Sequence, residues 1–106
     1  MRFILENFSG NNLVRLMRQA GYILINDYQE NSELSFIKKV GLGDYPRFHA
    51  YLELDSKSKK LKINLHLDQK KLINKISRPH AAEYEGELAE KELERLIGFL
   101  QKNKAS

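Results

Sequence analysis

His49, His66 and His80 are the side chains in this sequence with the most chemistry to offer. An imidazole titrates closer to neutral pH than any other side chain, moves protons in either direction and binds zinc through an unprotonated ring nitrogen. Asp68 follows His66 by two residues, so in an extended strand both leave the same face. Glu83 follows His80 by three, and one helical turn there would put both on one side. His49, His66 and His80, with Asp68 or Glu83, are therefore candidate ligands for zinc or another divalent metal, or the members of a metal-free acid–base site. His49 and His66 can equally hydrogen-bond Asp68, Tyr51 or Tyr84 and carry out no reaction. No H-E-x-x-H motif occurs, and the absence of cysteine excludes thiolate zinc sites, disulfides and cysteine nucleophiles.

The lysines form a second group. From Lys57 to Arg78 eight basic residues (Lys57, Lys59, Lys60, Lys62, Lys70, Lys71, Lys75 and Arg78) stand against one acid, Asp68. From Glu83 to Glu94 six acids (Glu83, Glu85, Glu87, Glu90, Glu92 and Glu94) stand against one base, Lys91. A block of long cationic side chains attracts phosphate, and an acidic block repels it. Two readings stay open. Either the blocks neutralise each other within one fold, or Lys57, Lys59, Lys60, Lys62, Lys70 and Lys71 face RNA or another phosphate-bearing ligand. The net charge of +4 is compatible with both.

Two strands must position both groups. Over 47–54, Phe48, Ala50, Leu52 and Leu54 alternate with polar residues, and over 61–67 Leu61, Ile63, Leu65 and Leu67 do the same. A one-residue slip would turn an apolar face outward, which restricts the pairing to alternate registers. One of these opposes Arg47 to Asp68 and Glu53 to Lys62, two favourable charge pairs. A two-residue shift one way sets Arg47 against Lys70, and the opposite shift loses both pairs. The favoured register predicts His49 directly opposite His66 on the polar face, near Tyr51, Asn64 and Asp68. It also predicts a tight turn at Lys57-Ser58; the missing glycine or asparagine predicts that its tip is loose.

The remaining elements follow from punctuation and period. Ser9 as cap, Phe8 and Leu13 as staple, and Leu13, Leu16, Met17 and Ala20 at helical spacing predict a helix over 9–20, closed by a left-handed Gly21. Strands are predicted over 22–28 and 33–40, with a hairpin turn at Gln29-Glu30-Asn31-Ser32. Gly41 to Pro46 reads as a loop. From Asp68 to Gly86 the pattern is irregular, broken by Lys70, Lys71, Lys75, Pro79 and Gly86, with Leu72, Ile73 and Ile76 able to anchor a short turn. Leu93, Leu96, Ile97 and Leu100 mark a closing helix. The expectation is one α+β domain over residues 1–106, with two helices on one face of a four-stranded antiparallel meander in the order α-β-β-β-β-α. Phe3-Ile4-Leu5, followed by Glu6, is too short for a secretory or membrane segment, which predicts a cytoplasmic protein with no membrane partner.

Gly41-Leu42-Gly43 lacks the third glycine of a dinucleotide loop, and neither a phosphate loop nor a G-x-S-x-G elbow occurs. Three stretches together resemble a group of small bacterial proteins of unassigned function: Pro46-Arg47-Phe48-His49-Ala50-Tyr51-Leu52, Asn64-Leu65-His66-Leu67-Asp68-Gln69-Lys70-Lys71 and Glu83-Tyr84-Glu85-Gly86-Glu87. That resemblance covers most of the chain and implies no activity. A helix ending Leu16-Met17-Arg18-Gln19-Ala20-Gly21-Tyr22 and leading into a meander is similar to the opening of HicA-type messenger-RNA interferases, which share the α-β-β-β-α double-stranded-RNA-binding fold. Those enzymes carry Gly-Ser-His on the strand after the first helix, where this chain has Asn26-Asp27-Tyr28. Double-stranded-RNA-binding modules also carry lysines where the last helix begins, where this chain has Glu83, Glu85, Glu87 and Glu90. The likeness implies a fold more than an activity. The leading expectation is a small binding module for RNA or another phosphate-bearing partner. A histidine site follows it, and then a protein-interaction domain or homodimer that covers a sheet edge or an open face.

Overall fold

Alternation with period two carries the two longest strands and organises everything else around them. The computed structural model describes residues 1–9, 12–26, 33–69 and 81–103. In chain order they form β1 (Arg2–Leu5), α1 (Leu13–Gln19), β2 (Ile23–Asn26), β3 (Glu33–Lys39), β4 (Arg47–Asp55), β5 (Lys60–Asp68) and α2 (Ala81–Asn103). The strands make one antiparallel sheet in the order β1-β5-β4-β3-β2.

The sheet therefore has five strands, not the four expected. Phe3-Ile4-Leu5 belongs to a strand that pairs with β5. Phe3 and Leu5 lie opposite Ile63 and Leu61 on the core face, and Leu65 N–H extends the ladder by donating to the Met1 carbonyl at 2.7 Å. Four residues are too few for alternation to stand out in a sequence, and the apolar side chain of Ile4 on the other face blurs it further. Beyond β1 lies the predicted meander, with the loop at 40–46 between β3 and β4 as expected.

Leu5, Phe8, Leu13, Leu16, Met17, Phe36, Phe48, Ala50, Leu52, Leu61, Ile63, Leu65, Leu93, Leu96 and Leu100 form one buried cluster. Both helices contribute to it, so both pack on the same face of the sheet. Each fully buried aliphatic or aromatic side chain there contributes about 1.5–3 kcal/mol relative to exposure.

Two boundaries differ from expectation. α1 begins at Leu13 with Asn12 in the capping position and no side-chain cap, so Ser9 lies upstream of the helix. Phe8 explains the delay: it is buried, and its N–H donates to the Lys59 carbonyl at 2.9 Å, which holds residues before the helix against the β4–β5 hairpin. The other end of α1 is as predicted. Gly21 has φ +100, Tyr22 N–H reaches the Met17 carbonyl and Gly21 N–H the Arg18 carbonyl, the paired bonds that close a helix through a left-handed residue. α2 starts earlier than expected and takes in Gly86, so glycine alone did not break it; its length and the stripe Ala89, Leu93, Leu96, Leu100 outweigh the roughly 1 kcal/mol that an interior glycine costs. The predicted turn at 29–32 and the short turn around Leu72, Ile73 and Ile76 lie outside the described residues.

Candidate functional site

Both described helices occupy one face of the sheet; the other face carries the polar positions of β4 and β5 together with Ile4, Ile23 and Ile37 from the flanking strands. Its composition follows from the register. Arg47 faces Asp68, His49 faces His66, Tyr51 faces Asn64, Glu53 faces Lys62 and Asp55 faces Lys60. On the flanks, Ile37, Ser35 and Glu33 lie beside His49, Tyr51 and Glu53, while Arg2 and Ile4 lie beside Asn64 and Lys62. The pairing deduced from the two charge pairs is the one observed.

The two histidine backbones are directly opposed, and a third ring touches both side chains. Tyr51 lies against both. Its ring stacks on His49 with centroids 4.1 Å apart and planes 17° apart, and meets His66 edge-on at 5.9 Å and 72°. His49 Nδ1 lies 3.0 Å from Asp68 Oδ2 and 3.3 Å from the Tyr51 hydroxyl. An ionised carboxylate only accepts, so in the shorter contact Nδ1 carries a proton and donates it to Asp68. Nε2 is buried and has no hydrogen-bond partner among the described residues. Arg47 Nε, also buried without a hydrogen bond, lies 3.9 Å from Asp68 Oδ2, and its guanidinium sits 4.6 Å over the Tyr45 ring. Burial, and then the charges of Asp68 and Glu33, push the Tyr51 hydroxyl up, so it stays protonated at neutral pH. His66 is exposed.

Among the described residues no group of three or more histidine, aspartate or glutamate side chains is arranged to hold a metal ion. His80 lies outside the described residues, and Glu83 enters only through the backbone of the first turn of α2. The expected five-residue set is thus represented by His49, His66 and Asp68.

Lys57, Lys59, Lys60 and Lys62 are all exposed around the β4–β5 hairpin, while Lys70 and Lys71 lie outside the described residues. The tip is looser than a two-residue turn. The ladder ends at Asp55 and Lys60, and Lys59 adopts φ +57. Asp55 Oδ1 accepts from the Lys57 N–H at 3.1 Å and the Ser58 N–H at 3.5 Å, so an aspartate does the organising that glycine or asparagine does elsewhere. The Ser58 hydroxyl, then the backbone N–H groups of Lys57 and Ser58, hold the Asp55 carboxyl below its usual range. Lys60 and Lys62 project from the open face on the β1 side, with Asp55 and Glu53 across the ladder; Lys60 Nζ also reaches Glu6 at 4.0 Å.

One charged cluster was missed altogether by reading Glu92 as part of a solvated acidic block. Glu92 is 6% exposed. It accepts from the Tyr22 hydroxyl at 2.6 Å and from Arg95 through Nε at 2.9 Å and Nη2 at 2.7 Å. Arg95 Nη2 also donates to the Ala20 carbonyl at the end of α1, at 2.9 Å, and Lys38 Nζ lies 4.0 Å from Glu92. Burial pushes the Glu92 carboxyl up, but Arg95, Tyr22 and Lys38 more than offset this and hold it below the ordinary value. Burial, reinforced by Glu92, pushes the Tyr22 hydroxyl far above its usual range and keeps it a donor. Every partner is accounted for within the cluster, which makes it a structural tie among α1, α2, β3 and the residue before β2. The signal was in the sequence: Glu92 shares a stripe with Ala89 and Leu96 and precedes Arg95 by three residues.

Comparison of this chain with protein-family models, with curated proteins and with solved structures found no match to any of them.

Proposed function

We propose that this protein is a nucleic-acid-binding module, with RNA the foremost ligand, which it holds on the open face of its sheet. The observation that carries this reading is the placement of Lys60 and Lys62 on that face beside Arg2, with Lys57 and Lys59 at the adjoining hairpin tip. Long cationic side chains on a sheet face that neither described helix covers suit a phosphate backbone, whereas α2 carries exposed Glu87, Glu90 and Glu94 away from it. Asp55 and Glu53 lie directly across the ladder from Lys60 and Lys62 and offset part of their charge, whereas Arg2 faces the neutral Asn64.

Fluorescence anisotropy with labelled RNA across a salt series tests the reading. Affinity falls with salt, the log–log slope being about 0.7 per phosphate contacted on a single strand. The triple variant Lys59→Glu, Lys60→Glu, Lys62→Glu loses binding by far more than tenfold and lowers the slope by about 2. Binding that ignores salt, or none in dilute buffer, overturns the reading.

A histidine site is the second reading, and the Asp68–His49 contact favours it. A carboxylate on Nδ1 sets the tautomer that presents Nε2 as a ligand or base. Stoichiometric zinc uptake that disappears in His49→Ala is its expected signature.

A further inference from the structure

We infer that the open sheet face takes single-stranded rather than duplex nucleic acid, with a base stacked on the His66 ring. This rests on the nucleic-acid reading above and gives it a strand class and a contact.

The rings supply the first part of the case. His66 is exposed, whereas His49 is only 12% exposed at its side chain and Tyr51 is half-buried. Asp68 holds His49, His49 backs Tyr51 at 4.1 Å, and Tyr51 meets the edge of His66 at 5.9 Å. The outermost ring of this series is thus exposed and braced by an edge contact with the half-buried Tyr51. A fixed aromatic ring with an open face is what an unstacked base needs, and such stacking tolerates any sequence because every base has a π-face.

The strand supplies the second part. Along β5 the open-face positions read Lys60, Lys62, Asn64, His66 and, at the end, Asp68, whose carboxylate is engaged by His49 and Arg47. Alternate residues of a strand are about 6.8 Å apart, so two cations, an amide and a ring lie in one line. Arg2 stands opposite Asn64 and adds a third cation beside that line. A hollow of about 210 Å³ opens next to it, with Arg2, Lys62 and Asn64 on one side, Tyr51 in the middle and Glu33 and Glu53 on the other. The carboxylates keep phosphate on the β1–β5 side and offer acceptors to base amines or a ribose hydroxyl.

A duplex fits this surface poorly. Its bases are stacked on both faces and cannot meet the His66 ring. Both helices here lie behind the sheet, and α2 carries exposed glutamates.

The test uses the full chain and three fluorescein-labelled probes of about twelve nucleotides, oligo-uridine, oligo-thymidine and an RNA duplex, in a length range that spans such sites. The single strands are expected to bind at least about tenfold more tightly than the duplex. His66→Ala weakens single-strand binding about tenfold without changing the salt slope or the duplex affinity, and His66→Phe restores it. Tighter oligo-uridine than oligo-thymidine binding identifies RNA as the source of the strand, and the reverse identifies DNA. Equal affinity for strand and duplex, or a His66→Ala variant that binds like the parent, overturns the stacking inference while salt-dependent, lysine-dependent binding upholds the broader reading. Absence of binding to all three probes overturns both.

Discussion

Two carboxylates organise two side-chain clusters on opposite faces of the same sheet, and they are finished to different degrees. Glu92, on the helix side, has Arg95 along one edge, the Tyr22 hydroxyl at 2.6 Å and Lys38 at 4.0 Å. Asp68, on the open face, has His49 at 3.0 Å and Arg47 at 3.9 Å, and each of those partners keeps a buried nitrogen without a hydrogen bond. A buried polar group without a partner costs about 1–3 kcal/mol, so folding alone favours the Glu92 arrangement. Closed networks hold elements together. Open ones keep hydrogen-bonding capacity in reserve, and here the open one sits on the face proposed to bind a ligand.

The largest effect that would break the comparison comes from Arg95→Ala. It leaves a buried carboxylate without its main cation and the Ala20 carbonyl without its donor, so a loss of about 3 kcal/mol in chemical denaturation is expected. A loss below about 1 kcal/mol, the level of a surface pair, would mean that the cluster is no tie at all. Acid should produce the next effect. The folded Glu92 carboxyl is held below the ordinary glutamate value of 4.5, so its contribution is complete above that pH and is lost as pH falls through the lower folded value. Stability of the parent should therefore fall on acidification below about pH 4.5, and Glu92→Gln should flatten that part of the profile; coincident profiles would refute the assignment. The smallest effect is expected at the other carboxylate. Asp68→Asn should change stability by no more than about 1 kcal/mol, because Asp68 is one-third exposed and its partners lie on an open face. A cost equal to that of Arg95→Ala would erase the distinction between the two clusters.

Much of the sheet was legible because its constraints are discrete. Period two assigns faces, a one-residue slip is forbidden, and the Arg47–Asp68 and Glu53–Lys62 pairs select one register among those left, so the opposition of His49 and His66 followed from sequence. Ring positions were not legible in the same way. Register fixes backbones, whereas the contacts of the Tyr51 ring with both His49 and His66 depend on side-chain rotation, which no pairing rule contains. β1 escaped because four residues give alternation too little room. The start of α1 was misplaced because Ser9 satisfies a local capping rule, while Phe8 obeys a distant contact with Lys59 that no local rule contains. Glu92 was misread because charge blocks are judged by composition, and burial on a helix is judged by stripe.

The position of β1 also bears on when this chain can become a protein during synthesis. Residues 2–5 leave the ribosome before residues 61–64, their partners, so the strand stays unpaired while the intervening chain is made. The core then still lacks Leu93, Leu96 and Leu100, which arrive with the last helix. A ribosome-bound intermediate truncated before α2 would therefore expose the apolar side of a nearly complete sheet, the surface on which chaperones act. Vectorial synthesis thus leaves this domain to fold late and all together, the first and last elements closing over a meander that cannot bury its own face alone.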